Sequence, residues 1–140
     1  MDNATLVQQF IGRIWNNNAF DELDAFLHPD FKDHSLPPLF SPDRDGLKNW
    51  IVSTGISFEH RTFIEEQVTE GDKCITKIRM DLKHIGVWRD LEPTGKNVHA
   101  IGYRYFKLKE GKIIDHWALI DGMALENQIK DTALGCKAAE

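Results

Sequence analysis

The sequence predicts an α+β fold in which N-terminal helices pack on one face of a strongly curved, antiparallel or mixed β-sheet. Three observations predict it. Apolar residues recur at helical spacing through about the first 58 positions. The period then changes from about 3.6 to about 2. Turn signals divide the second half into four runs of strand length. The 140 residues suit one domain with an ordered core from about residue 4 to 130.

The first helix covers residues 3 to 17. Leu6, Val7, Phe10, Ile11, Ile14 and Trp15 form its apolar face, Asn3 or Thr5 caps its start, and Asn16-Asn17-Asn18 ends it. A second, short helix runs from about 20 to 27 on Phe20, Leu23, Phe26 and Leu27. His28-Pro29-Asp30 stops it, because the residue before a proline is pushed out of the helical region. Phe31 to His34 is a short extended segment. The run from Ser35 to Asp45 carries Pro37, Pro38 and Pro42 and reads as a loop that covers something. Residues 45 to 58 are helical again, with Leu47, Trp50, Ile51 and Ile56 on the apolar face.

Four strands follow. Arg61 to Glu70 is the first and Lys73 to Gly86 the second, joined at Glu70-Gly71-Asp72. After the turn signal Pro93-Thr94-Gly95-Lys96, Asn97 to Lys109 is the third and Lys112 to Asp121 the fourth. Glu110-Gly111 is a hairpin turn, because glycine supplies the positive φ that tight hairpins need. Gly122 to Gln128 forms a final helical turn, and the tail after Lys130 reads as frayed. A curved sheet closed by helices leaves a conical cavity, where small ligands bind.

Composition excludes several function classes. Hydrophobic residues make up 41% and charged residues 28%, so a packed core is expected and global disorder is not. The formal net charge of -5, with no basic stripe, argues against a nucleic-acid partner. The apolar runs are too short to span a bilayer, and Met1 to Thr5 does not read as a signal peptide, so no membrane partner is expected. Cys74 and Cys136 are distant and unpatterned, which fits a reducing cytoplasm. No phosphate loop, dinucleotide fingerprint or metal-ligand spacing appears, so neither cofactor nor metal is expected.

The last strand carries the chemistry. It is apolar enough to be buried, yet holds Asp115, His116 and Asp121. A carboxylate on a buried strand must be paired, hydrogen-bonded or protonated, which makes it a candidate acid or base. Alternation places Asp115, Trp117, Leu119 and Asp121 on one face, and Ile114, His116, Ala118 and Ile120 on the other. A hairpin closed at Glu110-Gly111 sets Arg104 opposite Trp117 and Ala100 opposite Asp121, unless a bulge shifts the pairing. The face with Trp117 and Asp121 then forms an aromatic wall ending in one carboxylate, suited to a flat hydrophobic substrate.

Several segments together resemble a known family. The helix with Trp15, then LHPDFKDH at 27 to 34, GLKNWI at 46 to 51, VTEGDK at 68 to 73, HIG at 84 to 86, PTGKNV at 93 to 98 and GKIIDHWALID at 111 to 121 look like the SnoaL-like polyketide cyclases of the nuclear transport factor 2-like superfamily. The likeness runs from about residue 4 to 130. It implies a cone-shaped α+β fold, a homodimer paired through the sheet, and a hydrophobic small-molecule ligand or substrate. It further implies cofactor-independent general acid/base catalysis of an aldol-type ring closure or isomerisation on a polyketone-like molecule. The alternatives within the same fold are a non-catalytic small-molecule binding protein or another acid/base isomerase or hydrolase.

The same resemblance makes Asp121 the matching catalytic carboxylate and His84 the histidine of the family's H-x-G segment; an aldol closure also needs a donor to the enolate oxygen, which His84 or a tyrosine would supply. The alternative for Asp121 is a helix cap before Gly122 to Leu125. His34, Trp117, Trp15, Trp50, Tyr103 and Tyr105 are the candidate substrate-binding residues, although tryptophans at helical spacing such as Trp15 and Trp50 are more often core. His116, on the face opposite Asp121, is expected in a subunit contact or as a structural histidine. His28, His60 and His99 are expected to be structural or exposed. Asp30 and Asp33 are expected to pair on the surface with Lys32 or Arg44. Two departures from the family stand out: Asp81 and Lys83 in the strand before His84, and the bulky, charged Trp88-Arg89-Asp90-Leu91-Glu92, which could fold over the cone mouth.

Overall fold

A computed structural model describes residues 1 to 131. Residues 132–140 of the tail that reads as frayed, Cys136 among them, lie outside the described residues. Helix α1 spans Asn3–Phe10, with Asp2 capping the Thr5 amide, and continues as a π-helical turn over Ile11–Trp15. A 3₁₀ turn at Phe20–Glu22 leads into the short α2, Leu23–Phe26. Strand β1 is Leu27–Asp33 and α3 is Arg44–Ser57. Four long strands follow: β2 Phe58–Glu70, β3 Lys73–His84, β4 Asn97–Lys109 and β5 Lys112–Ile120. Helix α4, Gly122–Lys130, closes the described chain.

The strands form one mixed sheet in the order β1-β5-β4-β3-β2. Strands β2 to β5 are an antiparallel meander, and β1 joins the far edge parallel to β5. Parallel pairing explains why the extended segment begins at Leu27 rather than Phe31: the backbone pairs Leu27 with Ile113 before the irregular stretch at Pro29. The Glu110-Gly111 turn has both residues at positive φ, 55° and 73°, the geometry that matches the twist of a two-residue hairpin.

Alternation along β3 and β4 is strict. Even-numbered positions from Cys74 to His84 and from Val98 to Leu108 are buried under the helices. Two apolar clusters cover that face. One gathers α1, α2, β1 and the turn-proximal ends of β4 and β5 around Phe10, Phe26, Phe106 and Ile113. The other gathers Phe58, Met80, Leu82, Val98 and the α4 residues Leu125 and Ile129. Helix α4 also protects the edge of β4 beyond the end of β5, where Gln128 both donates to the His99 carbonyl and accepts from its amide. The space between the two clusters is the site.

Candidate active site

A cavity of about 550 Å³ lies on the helix-covered side of the sheet. Trp15, Trp50, Phe58, Met80, Leu82, Trp88 and Leu125 make its walls apolar, and Leu36 and Pro37 of the proline-bearing loop complete them. Into these walls project Asp33, Arg104 and His116, each almost fully buried.

Each of the three is placed by local structure. Asp33 ends β1, where its amide donates to Pro42 and the His34 amide donates to His116, so the loop is stitched to β5. His116 pairs directly with Asp33 across the parallel ladder. Arg104 occupies an inward position of β4 between buried Gly102 and Phe106, opposite Ala118.

His116 Nδ1 donates to Asp33 Oδ2 at 2.8 Å. Asp33 Oδ1 accepts from the Ser35 amide at 2.9 Å and the Ser35 hydroxyl at 2.7 Å. That hydroxyl in turn accepts from the Ala118 amide at 3.0 Å. Arg104 Nη1 approaches His116 Nε2 at 3.4 Å, and its guanidinium lies 4.2 Å from the Trp15 ring centroid. A carboxylate only accepts and a guanidinium only donates, so the two neighbours fix the tautomer. Nδ1 carries the proton and Nε2 presents its lone pair.

Charge follows from the same geometry. Burial raises the Asp33 pKa, but hydrogen bonds from His116 and Ser35 outweigh it and hold the carboxyl below its ordinary 3.8. Burial pushes His116 below 6.5, and the Arg104 cation adds to this, against the opposing bond to Asp33. Burial also pushes Arg104 down to about 10, leaving it cationic at neutral pH. The group at neutral pH is therefore a carboxylate, a neutral imidazole and a guanidinium: one negative and one positive charge bridged by a base.

Two donors in the cavity-lining residues have no protein partner, Arg104 Nε and Trp15 Nε1. Among the described residues, no group of three or more His, Cys, Asp or Glu side chains converges as a metal site. A second depression, of about 510 Å³, is lined by Glu59, Arg61, Asp81, Lys83 and Asn97. It lacks the buried acid/base pair.

The expected site residues are distributed differently from the sequence reading. Asp121 does not face the hollow. It is exposed, has left the strand, and caps α4 by accepting from the Ala124 amide at 3.0 Å. His84 is fully buried, but outside the cavity lining. Its Nδ1 meets Thr94 Oγ1 at 3.1 Å and the Thr94 amide at 3.3 Å, which anchors the connection to β4. His34, Trp117, Tyr103 and Tyr105 lie away from the cavity. His34 stacks on Trp117 at 4.4 Å, and Tyr105 on the same ring at 5.4 Å. Trp15 and Trp50 line the cavity.

A bulge between Lys107 and Leu108 causes part of this difference. It inserts Ile114 and sets Arg104 opposite Ala118 rather than Trp117. The cavity face of β5 is therefore His116, Ala118 and Ile120. His116 is not on a subunit-facing surface, and Asp33 is not a surface partner of Lys32 or Arg44. Both are buried in one hydrogen-bonded pair. The signal that could have found the site is parity. Arg104 falls on the same alternate positions as Val98, Ala100, Phe106 and Leu108, and a cation in an apolar register is there for a reason.

The family model of the SnoaL-like polyketide cyclases matches residues 5–129. No curated protein matches the chain. Among solved structures, TsrD from Streptomyces laurentii is similar at 21% identity and a TM-score of 0.81, over 93% of this chain and 98% of that one. IdmH from Streptomyces antibioticus is similar at 19% identity and a TM-score of 0.83, over 92% of this chain and 99% of that one. A SnoaL-like polyketide cyclase from Agrobacterium tumefaciens is similar at 20% identity and a TM-score of 0.75, over 92% and 99%. At these identities the likeness to solved structures establishes the fold.

Proposed function

The chain belongs to the SnoaL-like polyketide cyclase family, and from that premise we propose that it is a cofactor-independent cyclase or isomerase acting on a flat, hydrophobic, polyketone-like molecule. The observation that carries this is the His116 imidazole, oriented by Asp33 and faced by the Arg104 guanidinium inside an apolar cavity.

As a ligand carbonyl oxygen draws Arg104 Nη1 to itself, His116 Nε2 is freed to remove a proton from the adjacent carbon, and Asp33 stabilises the imidazolium that results. The electron pair moves to the carbonyl oxygen, where the Arg104 cation stabilises the enolate. In a ring closure, the enolate carbon attacks a second carbonyl carbon of the same molecule. The new alkoxide takes the proton back from His116. In an isomerisation, the imidazolium returns the proton to a different carbon.

The test is proton exchange. Acetylnaphthalene in heavy water, followed by mass spectrometry, exchanges its acetyl protons faster with the protein than without. His116→Asn lowers that acceleration by about a hundredfold or more. Full acceleration in His116→Asn would sink the assignment, and bound ketone that never exchanges would identify a binding protein instead.

The homodimer belongs to the same proposal. The outer sheet face carries Phe63, Ile75, Ile101, Tyr103 and Leu119 exposed on neighbouring strands, with Tyr103 directly beside Leu119. Arg79, which pairs with Asp81 at 3.0 Å and Glu65 at 3.6 Å, lies among them, and the proposed occupant of this face is a second copy of the chain. Tyr103→Glu is expected to halve the mass measured by light scattering. An unchanged mass would remove this face as the interface. No described helix is long and apolar enough to cross a membrane, and the proposed site of action is the cytoplasm.

A further inference from the structure

We propose that Arg89 recognises an anionic group on the ligand, so that the substrate is a flat apolar molecule bearing a carboxylate or similar acid at the solvent end of the cavity. This rests on the reading above, that the cavity holds a flat apolar ligand with its reacting carbon at His116.

The cavity has two guanidiniums. Arg104 is buried and balanced by Asp33. Arg89 lines the same cavity with its side chain 47% exposed, which places it at the open end. Four features hold it there. It sits in a two-residue turn closed by mutual bonds between Trp88 and Leu91, at 3.1 and 2.8 Å. Both central residues, Arg89 and Asp90, have positive φ, 48° and 61°, where asparagine or glycine is usual. A strained non-glycine pair persists only where the surroundings fix it. The guanidinium stacks 4.6 Å from the Trp88 ring centroid, and Trp88 packs edge-on against Phe58 at 5.3 Å.

The fourth feature is Gly122. A Cβ there would stand 2.6 Å from Arg89 Nη2, so glycine at the start of α4 lets the guanidinium lie where any larger residue would displace it. Arg89 Nη1 also donates to Glu126 at 3.2 Å, but the same carboxylate accepts from Lys130 at 2.7 Å. Glu126 is thus divided between Arg89 and Lys130, and among the described residues Arg89 has no other ion-pair partner. The His84–Thr94 bonds, together with the Ser57 hydroxyl donating to the Val87 carbonyl at 2.9 Å, pin both ends of this connection. A guanidinium stacked on Trp88 and sharing its one carboxylate with Lys130, at the rim of an apolar cavity, suits bidentate capture of an acid group.

The experiment compares two fluorescent probes that differ by one anionic group: anilinonaphthalene sulfonate and N-phenylnaphthylamine. Binding is titrated with wild type, Arg89→Gln and Gly122→Ala. The second variant keeps the charge but displaces the guanidinium. Both variants are expected to weaken the sulfonate probe about tenfold and leave the neutral probe unchanged. Equal losses on both probes, or no loss on the sulfonate, would overturn the assignment. Failure of the neutral probe to bind wild type would count against the apolar-cavity reading itself, and Arg89 would still be judged by the sulfonate titration. Near-ultraviolet circular dichroism confirms that each variant folds.

Discussion

Asp33→Asn changes one atom type and no volume, which makes it the sharpest perturbation of the buried triad. Asp33 is 2% exposed and accepts three hydrogen bonds, one from His116 and two from Ser35. An asparagine oxygen can keep the Ser35 bonds, but its amide nitrogen then faces His116 Nδ1. The imidazole must turn over to the other tautomer to accept that donor. Its Nε2–H then points at Arg104 Nη1, 3.4 Å away, so two donors confront each other. The substitution also removes the carboxylate whose charge favours the cationic form of Arg104. Leaving a buried charge without its partner destabilises by about 3–5 kcal/mol.

In urea, with a slope of about 2 kcal/mol per molar, that loss moves the unfolding midpoint down by roughly 2 M. Arg104→Gln on its own should also destabilise, since it strips Asp33 of its cation. The double variant should then lose less than the sum of the two singles, because each single leaves one orphaned charge and the double leaves none. A single-variant loss below about 1 kcal/mol, or strict additivity in the cycle, would refute the claim that the site is an electrostatically coupled unit.

Two further outcomes follow from the same structure. His116 and Asp33 both have folded-state pKa values below their unfolded ones, 6.5 and 3.8. Each therefore contributes stability that is present above the unfolded value and lost as pH falls toward the folded one. Urea midpoints of the wild type should fall as pH drops below about 6.5, and His116→Asn should flatten the upper part of that decline; an unchanged profile would show that His116 is not buried neutral. Asp121→Ala removes the cap on α4 and should lower stability by about 1 kcal/mol while leaving ketone exchange untouched; a loss of exchange at unchanged stability would return catalysis to Asp121.

Much of the fold was legible because it rests on periodicity. Strand β4 occupies the residues its alternation and flanking turns delimit, and the Glu110-Gly111 hairpin forms where a glycine permits positive φ. Helix α3 starts one residue earlier than its apolar face suggests, where Asp43 caps the Gly46 amide. Less legible was β1. Its sequence, with Pro29 inside, carries no alternation of its own, and its position comes from pairing with β5, more than 80 residues away in the chain. Long-range pairing leaves no local trace, so Asp33 looked like a surface aspartate between Lys32 and His34.

The site was missed for a related reason. Tyr103 and Tyr105 drew attention as the conspicuous side chains of their run, yet odd-numbered positions of β4 face outward, and the residue between them is the one that matters. On β5 the bulge at Ile114 changes which cross-strand neighbours meet, and nothing in the composition of Lys112 to Asp121 announces it. Parity still carried information. A strand that buries Ala100, Phe106 and Leu108 can bury Arg104 on the same face only if a counter-charge waits there, because an uncompensated buried guanidinium is too destabilising to persist. That requirement narrows the search to an acid brought in by another element. The covering loop begins at His34-Ser35, directly after Asp33, the last residue of a strand that must find an edge. The parallel addition of β1 beside β5 then does two things at once: it extends the sheet, and it delivers the carboxylate that makes Arg104 and His116 tolerable inside.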